Sequence, residues 1–151
     1  KMLVIYSNKQ CENVANEVVQ GASAVQSKVI FNPDEINEPS DETLVLCIEK
    51  KPLGRETAKI EPKIKGKKIY LIGVGFSFED MRRKTAELTK NGVEIKNTLC
   101  VKKKGLPFFS NEVEEPELSR AKAFGERIAS AMTGVRNLQE NEKNRIKNYQ
   151  H

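Results

Sequence analysis

Residues 2–13 read MLVIYSNKQCEN, an apolar run followed by a short polar turn. The run at 3–6 is rich in β-branched residues, which is typical of a central strand covered by helices on both faces. After the turn, apolar residues recur at helical spacing and predict one buried stripe, formed by Val14, Ala15, Val18, Val19 and Ala22. A buried strand, a tight turn and a helix form the first half of a βαβ unit, so this stretch predicts an α/β fold.

Four later apolar runs predict four more strands, at residues 28–31, 43–48, 67–74 and 93–101. The run TLVLCI at 43–48 is continuous, so it predicts another strand buried on both faces, with Cys47 as a small core residue. The run at 93–101 alternates at first, as expected of a strand at or near the edge of the sheet.

A capping box predicts the start of a second long helix. The Ser77 hydroxyl can accept a hydrogen bond from the Asp80 N–H, and the Asp80 carboxylate can reach back to the Ser77 N–H. Apolar spacing then predicts a buried face with Phe78 as a core anchor, formed by Phe78, Met81, Thr85 and Leu88. The pair Asn91-Gly92 is expected to end this helix.

The last helix is expected to begin at Pro116 and to end at Gly134. Its apolar stripe is formed by Leu118, Ala121, Gly125, Ile128, Ala129 and Met132. Residues 135–151 are mostly polar and predict a polar C-terminal tail or an extra helix after a domain of residues 1–134. Residues 49–66 contain two prolines, so they predict at most a short helix at 56–60.

Alternation of strands and helices predicts a three-layer α/β sandwich with five parallel strands and helices on both faces. The 151 residues are 38% hydrophobic and 31% charged, which suits one globular domain. No apolar run approaches the length of a membrane span and no signal peptide is recognisable, so we expect a cytoplasmic protein with neither a membrane nor a nucleic-acid partner.

The cysteine and histidine content limits the possible chemistry. Three widely spaced cysteines without a CxxC motif predict reduced thiols and neither a disulfide framework nor a metal site. The only histidine is His151, so histidine general-base catalysis is not expected, and no pair of carboxylates suggests a hydrolase.

Four segments, in this order, resemble the flavodoxin family over residues 2–132. They are MLVIYS before the first helix, TLVLCI before a proline-containing loop, KGKKIYLIGVGFS, and VKKKGLPFF before EEPELSRAKAFGERIA. The resemblance implies a flavodoxin-like sheet in the order 2-1-3-4-5, with FMN bound next to strand 1, where the strand order reverses. It also implies a protein that transfers electrons to or from a redox partner.

In that family the loop after strand 1 holds the FMN phosphate and reads Ser or Thr, any residue, Thr-Gly, any residue, Thr. The loop here is SNKQCEN, in which Ser7 matches and which has neither glycine nor threonine. Anion binding requires N–H groups and polar side chains that converge at a helix N-terminus. The residues that the resemblance assigns to the phosphate are Ser7, Asn8, Lys9, Gln10, Cys11 and Asn13.

The resemblance assigns the flavin ring to the loops after strands 3 and 4. The loop EKKPLG has no aromatic residue, and its candidates for contact with the ring are Lys50, Pro52 and Leu53. The segment GVGFSF is similar to the family's Gly-x-Gly-x-Ser segment, and it contributes Gly73, Gly75, Phe76 and Ser77. Phe76 or Phe78 is a candidate for stacking on the flavin, as an alternative to the core position of Phe78.

Cys11 suggests a second kind of chemistry, because a cysteine at a helix N-terminus near Lys9 can be stabilised as a thiolate. Low-molecular-weight phosphatases and related arsenate reductases use a cysteine in this loop, with an arginine six residues later. That position is Glu17 here, so the arginine is missing. We therefore expect a partly exposed cysteine without a catalytic role.

Basic residues suggest a third reading. The chain has a net charge of +5, and several cations follow the predicted strands, where the carboxyl edge of the sheet would collect them. They are Lys9, Lys50, Lys51, Arg55, Lys102, Lys103 and Lys104. This lysine-rich rim predicts, as the alternative to an FMN-binding electron carrier, a flavin-free module that recognises an anionic ligand or an acidic protein partner.

Overall fold

The structure is a computed structural model that describes residues 2–36, 42–104 and 112–149, with side chains described as far as residue 134. The strands are β1 (Met2–Ser7), β2 (Gln26–Ile30), β3 (Thr43–Glu49), β4 (Lys68–Val74) and β5 (Glu94–Val101). The helices are α1 (Glu12–Gly21), α2 (Glu61–Ile64), α3 (Phe78–Lys90) and α4 (Glu115–Tyr149). Residues 105–111, which include the end of the VKKKGLPFF segment, and His151 lie outside the described residues.

The five strands form one parallel sheet in the order β2-β1-β3-β4-β5. This confirms the predicted α/β sandwich and its strand order. β1 pairs with β2 on one side and with β3 on the other, with Ser7 opposite Cys47 at the carboxyl end. β5 pairs with β4 alone among the described strands, and a register irregularity interrupts that pairing near Ile69 and Tyr70.

Each face of the sheet carries its own core. On one face, α1 and α4 pack over alternate residues of the strands, with Phe124 of α4 edge-on to Tyr70 at 6.0 Å between ring centroids. On the other face, α3, α2 and the turns before α2 cover residues such as Leu46 and Leu71. Phe124 is fully buried but was absent from the predicted apolar stripe of the last helix.

α1 and α4 approach each other more closely than side chains with a Cβ would allow. A Cβ on Gly21 would overlap the carbonyl oxygen of Lys122, and a Cβ on Gly125 would overlap that of Val18. These two glycines therefore set the spacing of the helix pair. Farther along α4, Gly134 has a non-helical φ of 147°, and the kink at this residue separates the helix that begins at Glu115 from a second helical segment that runs to Tyr149.

Two element boundaries differ from the prediction. β2 spans Gln26–Ile30, so Phe31 lies outside the strand and its ring meets the Lys9 ammonium at 4.5 Å from the centroid. The expected helix at 56–60 is absent, because these residues form turns closed by the bonds Ala58 N–H to Arg55 O and Ile60 N–H to Thr57 O. α2 follows at Glu61–Ile64, with a proline in its first turn, where a missing N–H costs no hydrogen bond.

α3 begins and ends as predicted but is rotated relative to the expected face. The Ser77–Asp80 capping box is present, and Asn91 and Gly92 follow the last turn. Phe78 was expected in the core, yet its side chain is 86% exposed, whereas Lys84 is buried. The ion pairs of Lys84, described below, explain why a lysine occupies this face.

In the described part of the chain, no helix combines the length and the apolar character that a bilayer span requires. The same residues contain no cluster of three or more His, Cys, Asp or Glu side chains that suits a metal ion.

Candidate functional site

The predicted site residues lie at the carboxyl ends of β1, β3 and β4, which are adjacent in the sheet. Backbone hydrogen bonds join the three connecting loops at this edge. The Asn8 N–H donates to Cys47 O at 3.2 Å, and the Lys50 N–H donates to Val74 O at 3.1 Å. Three segments far apart in sequence therefore meet along one edge of the sheet.

The β1 loop is a single residue, Asn8, followed by a 3-10 turn at Lys9–Cys11 that runs directly into α1. Its polar side chains bond to the protein itself. Ser7 is fully buried and its Oγ donates to Asn8 O at 2.8 Å, while Asn8 Oδ1 accepts the Glu49 N–H at 2.8 Å. Asn13 Oδ1 accepts the N–H of the next residue at 2.8 Å. Lys9, Gln10 and Asn13 are exposed, so they are the members of the predicted phosphate site that face solvent.

Cys11 is fully buried, which corrects the expectation of a partly exposed thiol. Its side chain turns inward from the start of α1 and lies next to Cys47 of β3. The hydrogen bond with the Cys11 thiol, together with burial, raises the pKa of Cys47 well above its ordinary value. A Cys11 thiol that is buried in the core beside Cys47 is not accessible to a substrate, as the nucleophile of a phosphatase-type mechanism has to be.

Charges around the β1 loop compensate one another. Lys9 Nζ lies 3.1 Å from the Glu12 carboxylate, and both side chains are largely exposed. The same ammonium lies over the Phe31 ring. Glu12 in the first turn of α1 interacts favourably with the positive end of the helix dipole. Its negative charge therefore already occupies the position at which the dipole would favour an anionic ligand.

The β3 loop turns outward at Pro52–Gly54 and is anchored to α3 by Lys84. Lys84 Nζ donates to Gly54 O at 2.7 Å and lies 3.0 Å from Glu56 Oε2, while Glu56 Oε1 accepts the Lys51 N–H at 3.0 Å. The side chains of Lys84 and Glu56 are only 4% and 3% exposed. Leu53 at the tip has a left-handed φ of 66° and a side chain that is 85% exposed.

Burial and ion pairing act in opposite directions on this buried pair. Burial alone would raise the pKa of Glu56, but the Lys51 N–H and the Lys84 ammonium outweigh it and lower that pKa. Burial alone would lower the pKa of Lys84, but Glu87, at 2.9 Å, and Glu56 outweigh it and raise that pKa. Both groups are therefore held in their charged forms.

The β4 loop places an aromatic side chain under the edge of the sheet. A Cβ on Gly73 would lie 2.5 Å from Cγ of Phe76, so the glycine makes room for this buried ring. Gly75 has a φ of 79°, a conformation that favours glycine. Ser77 caps α3, and its N–H holds the Asp80 carboxylate at 3.0 Å.

Asp80 joins the β3 and β4 loops through Lys50, whose Nζ lies 3.0 Å from Asp80 Oδ2. The hydrogen bond from the Ser77 N–H is the main reason why the pKa of Asp80 falls to about 2, and Lys50 adds to the effect. The carboxylate is thus already occupied by two partners of the protein itself.

Several members of the lysine-rich rim are neutralised in the same way. Lys103 is nearly buried and pairs with Glu49 at 2.9 Å, and Lys104 lies 3.9 Å from Glu112. Lys51, Arg55 and Lys102 are exposed, and their side chains form no ion pair within the described residues. The free positive charge of the rim is therefore concentrated in fewer residues than the sequence suggests.

A groove with a volume of about 670 Å³ lies between the β3 loop and α3, and we call it the α3 groove. Its lining residues are Lys50, Lys51, Pro52, Leu53, Gly54, Glu56, Phe76, Asp80, Arg83, Lys84 and Glu87. The volume lies within the usual range for small-molecule sites. Four of the predicted site residues thus line one groove: Lys50, Pro52, Leu53 and Phe76.

The sequence prediction missed three charged residues of this groove, Lys84 and Arg83 of α3 and Glu56 of the turns before α2. One signal was present: Lys84 lies three residues after Met81 and four before Leu88, in phase with the buried face. A charged residue in such a position requires a buried partner. Glu56 lies 28 residues earlier in the chain, so the partner was not evident from local spacing.

Comparison with known proteins places this geometry in context. No protein-family model matches the chain, and no curated protein matches it significantly. Among solved structures, the flavodoxin of Megasphaera elsdenii superposes with a TM-score of 0.53 at 21% identity, covering 84% of this chain and 99% of that one. A flavodoxin-like domain from a Synechococcus species superposes with a TM-score of 0.59 at 15% identity, covering 89% and 100%.

The chain has a flavodoxin-like fold. At these levels of identity, the similarity concerns the fold alone.

The β1 loop of this flavodoxin-like domain does not fit the phosphate of FMN. A phosphate cradle requires N–H groups and hydroxyls that converge on open space, commonly with glycine so that the backbone can approach the anion. Here the Ser7 hydroxyl is buried and bonded, Asn8 Oδ1 is an acceptor engaged with Glu49, and the Cys11 side chain is fully buried beside Cys47.

Proposed function

We propose that this flavodoxin-like domain is a flavin-free binding module that recognises anionic groups at its basic carboxyl edge. The observation that carries the proposal is the internal hydrogen bonding of the β1 loop, above all the bond from the Glu49 N–H to Asn8 Oδ1. The Asn8 side chain has to break this bond before it can turn toward a phosphate, which is unfavourable.

The exposed cations at the same edge support the second half of the proposal. Lys51 and Arg55 follow β3, and Lys102 follows β5. These side chains are exposed and form no ion pair within the part of the chain that the structure describes. Lys102 lies close enough to Glu117 to help lower the pKa of that carboxyl, so Lys51 and Arg55 carry most of the unpaired positive charge among the described residues of this edge. Such charge attracts carboxylates or phosphates of a ligand or of an acidic protein surface.

FMN-dependent electron transfer is the second candidate. The observation that favours it is the β4 loop, in which Gly75 takes a left-handed conformation and Phe76 lies beside the α3 groove. The similarity to the Megasphaera elsdenii flavodoxin supports the same idea. The misfit of the β1 loop argues against it, so it ranks below the binding module.

A flavin titration separates the two candidates. The purified protein is expected to be colourless, to leave FMN fluorescence unquenched and to keep its melting temperature when FMN is added. A ligand that binds only the native state raises the melting temperature, so an FMN-dependent rise would contradict the proposal. Saturable quenching at one FMN per chain would favour the electron carrier.

A polyanion assay tests the basic edge. Polyglutamate is expected to bind the protein at low salt and to lose affinity steeply as the salt concentration rises, because screening weakens exposed charges. The edge variant Lys51→Gln/Arg55→Gln/Lys102→Gln should bind markedly less. The matched control Lys63→Gln/Lys65→Gln/Lys90→Gln removes the same charge near the amino ends of β4 and β5. Equal loss in both variants would refute a role for the carboxyl edge.

A further inference from the structure

The α3 groove has a specific distribution of charge. It is lined by four cations and three carboxylates. Lys50 is paired with Asp80, and Lys84 is held between Glu56 and Glu87. The remaining two cations, Lys51 and Arg83, are exposed and form no ion pair within the described ranges. They are the groups that an incoming anion would meet.

The two free cations come from opposite walls. Lys51 belongs to the β3 loop, and its backbone is fixed by the bond from its N–H to Glu56 Oε1. Arg83 belongs to the helix α3, and it immediately precedes the buried Lys84. Arginine offers a planar fork of donors that matches the two oxygens of a carboxylate or phosphate, and lysine adds a point charge.

The apolar part of the groove lies beside these cations. Pro52 and Leu53 form the outer lip, and the Phe76 ring lies below it. Leu53 is an exposed apolar side chain on a left-handed backbone, a combination that gives the isolated domain no packing benefit. The Lys84 bond to Gly54 O holds this lip against α3.

We propose that the α3 groove binds a small organic anion, with the Arg83 guanidinium and the Lys51 ammonium on its carboxylate or phosphate oxygens and with its apolar body against Pro52, Leu53 and Phe76. This assignment rests on the proposed function, since it names the ligand class for one part of the basic edge. The proposed ligand does not contact the β1 loop. Arg83 of α3 forms one wall of its site, and the β3 loop forms the other.

Phenyl phosphate is a suitable probe, because it joins a phosphate to an apolar ring, and inorganic phosphate and phenol supply the two halves separately. Titration followed by amide resonances in an NMR spectrum is expected to give saturable shifts at Lys51, Leu53, Gly54 and Arg83. Inorganic phosphate and phenol should each bind at least about ten-fold more weakly than phenyl phosphate. Phenol lacks the charged hydrogen bonds, and inorganic phosphate lacks the apolar contact. Equal affinity for inorganic phosphate would overturn the proposed ligand class.

Arg83→Gln is expected to weaken phenyl phosphate binding about ten-fold, since it removes a charge-assisted contact. Arg82→Gln is the matched control: it removes the same charge from the next residue of α3, whose side chain pairs with Glu79 outside the groove, and should change the affinity by no more than about two-fold. Lys51→Gln gives an independent reading from the opposite wall. Equal weakening by Arg82→Gln, or shifts spread over the whole basic surface, would overturn the assignment.

The two proposals fail in different ways. If polyglutamate still binds the carboxyl edge while phenyl phosphate leaves the groove resonances unchanged, the groove assignment is wrong and the proposed function stands. If FMN binds at one per chain, the proposed function is wrong, and the Arg83→Gln and Arg82→Gln comparison with phenyl phosphate still decides the groove.

Discussion

Asn8 and Glu49 are linked across the carboxyl ends of β1 and β3 by a hydrogen bond of 2.8 Å, from the Glu49 N–H to the Asn8 side-chain oxygen. Glu49 in turn pairs with Lys103, which follows β5. These two contacts connect the ends of β1 and β3 with the segment after β5 through the protein's own side chains.

Replacing Asn8 by Ala is expected to reduce the free energy of unfolding by about 1 to 2 kcal/mol, because it leaves the Glu49 N–H without its acceptor. Asn8→Asp keeps an acceptor oxygen and should cost less. Urea denaturation followed by circular dichroism measures the difference, with Gln10→Ala, at an exposed position of the same turn, as control. A cost for Asn8→Ala no larger than that for Gln10→Ala would contradict the structural role of this bond.

Replacing Lys84 by Met is expected to cost about 3 kcal/mol of unfolding free energy, because Glu56 then remains buried without its cation. The double variant Lys84→Met/Glu56→Gln should recover part of the loss, since it removes the unpaired charge as well. Arg82→Met, on the exposed side of α3, should change stability by no more than about 0.5 kcal/mol. A double variant no more stable than Lys84→Met alone would argue against coupling of the two groups.

Asp80 predicts a contribution to stability that is lost in acid. Its pKa is lowered from 3.8 to about 2 in the folded protein, so protons favour the unfolded state. The contribution is complete above the ordinary pKa and disappears as the pH falls from about 4 to about 2. Allowing for solvent around the cap, we expect Asp80→Asn to cost about 1 kcal/mol at pH 6.

The pH dependence of that cost is the decisive measurement. The difference in unfolding free energy between wild type and Asp80→Asn should shrink as the pH falls toward 2. Gln10→Ala, which removes an exposed uncharged side chain, is the control and should differ from wild type by an amount that does not follow the same curve. A pH-independent cost of Asp80→Asn would mean that the ionised cap does not stabilise the fold.

Gly125→Ala is expected to destabilise the protein by about 2 kcal/mol, the reverse of the usual effect of alanine in a helix. The added methyl group overlaps the Val18 carbonyl oxygen and forces α1 and α4 apart. Ala123→Gly, at an exposed position of the same helix, reports the ordinary propensity difference of about 1 kcal/mol. An increase in melting temperature for Gly125→Ala would show that the helices are not in close contact.

Thiol labelling tests the burial of Cys11. In the native protein, iodoacetamide is expected to modify Cys100, the only one of the three cysteines that is not fully buried, while Cys11 and Cys47 react after unfolding. Peptide mass spectrometry identifies the labelled residue. Cys100→Ser should abolish the labelling of the native protein, and modification of native Cys11 would contradict its position in the core.

The sheet could be predicted from the sequence because strands buried on both faces leave a clear apolar signal. The run at 3–6 predicted an interior strand, and the Ser77–Asp80 pair predicted the start of α3, since a cap is a local interaction. The strand order came from the resemblance to flavodoxins, because periodicity does not record which strands are neighbours.

The site could be predicted less well, since its key contacts join residues far apart in the chain. Phe78 was assigned to the core because helical spacing places it on the same side of α3 as Met81. In the structure the buried face instead includes Lys84, which is held there by its ion pair with Glu56. Cys11 reads as a solvent-facing turn residue until its contact with Cys47 of β3 is known. The core position of Phe78 and the partial exposure of Cys11 were wrong because long-range contacts decide both, whereas the cap of α3 and the five apolar strands are local signals that the structure confirms.

The glycine contact between α1 and α4 also has an evolutionary consequence. Because the two helix backbones touch at Gly21 and Gly125, a side chain at either position would overlap the facing helix. Substitution of these two residues is therefore restricted on this face of the sheet. On the opposite face the covering layer is α2, α3 and short turns, and ion pairs such as Lys84–Glu56, which can be exchanged for other pairs, help to hold it. New specificities would therefore arise on the α3 side, and a protein engineer could remodel that side while leaving the other untouched.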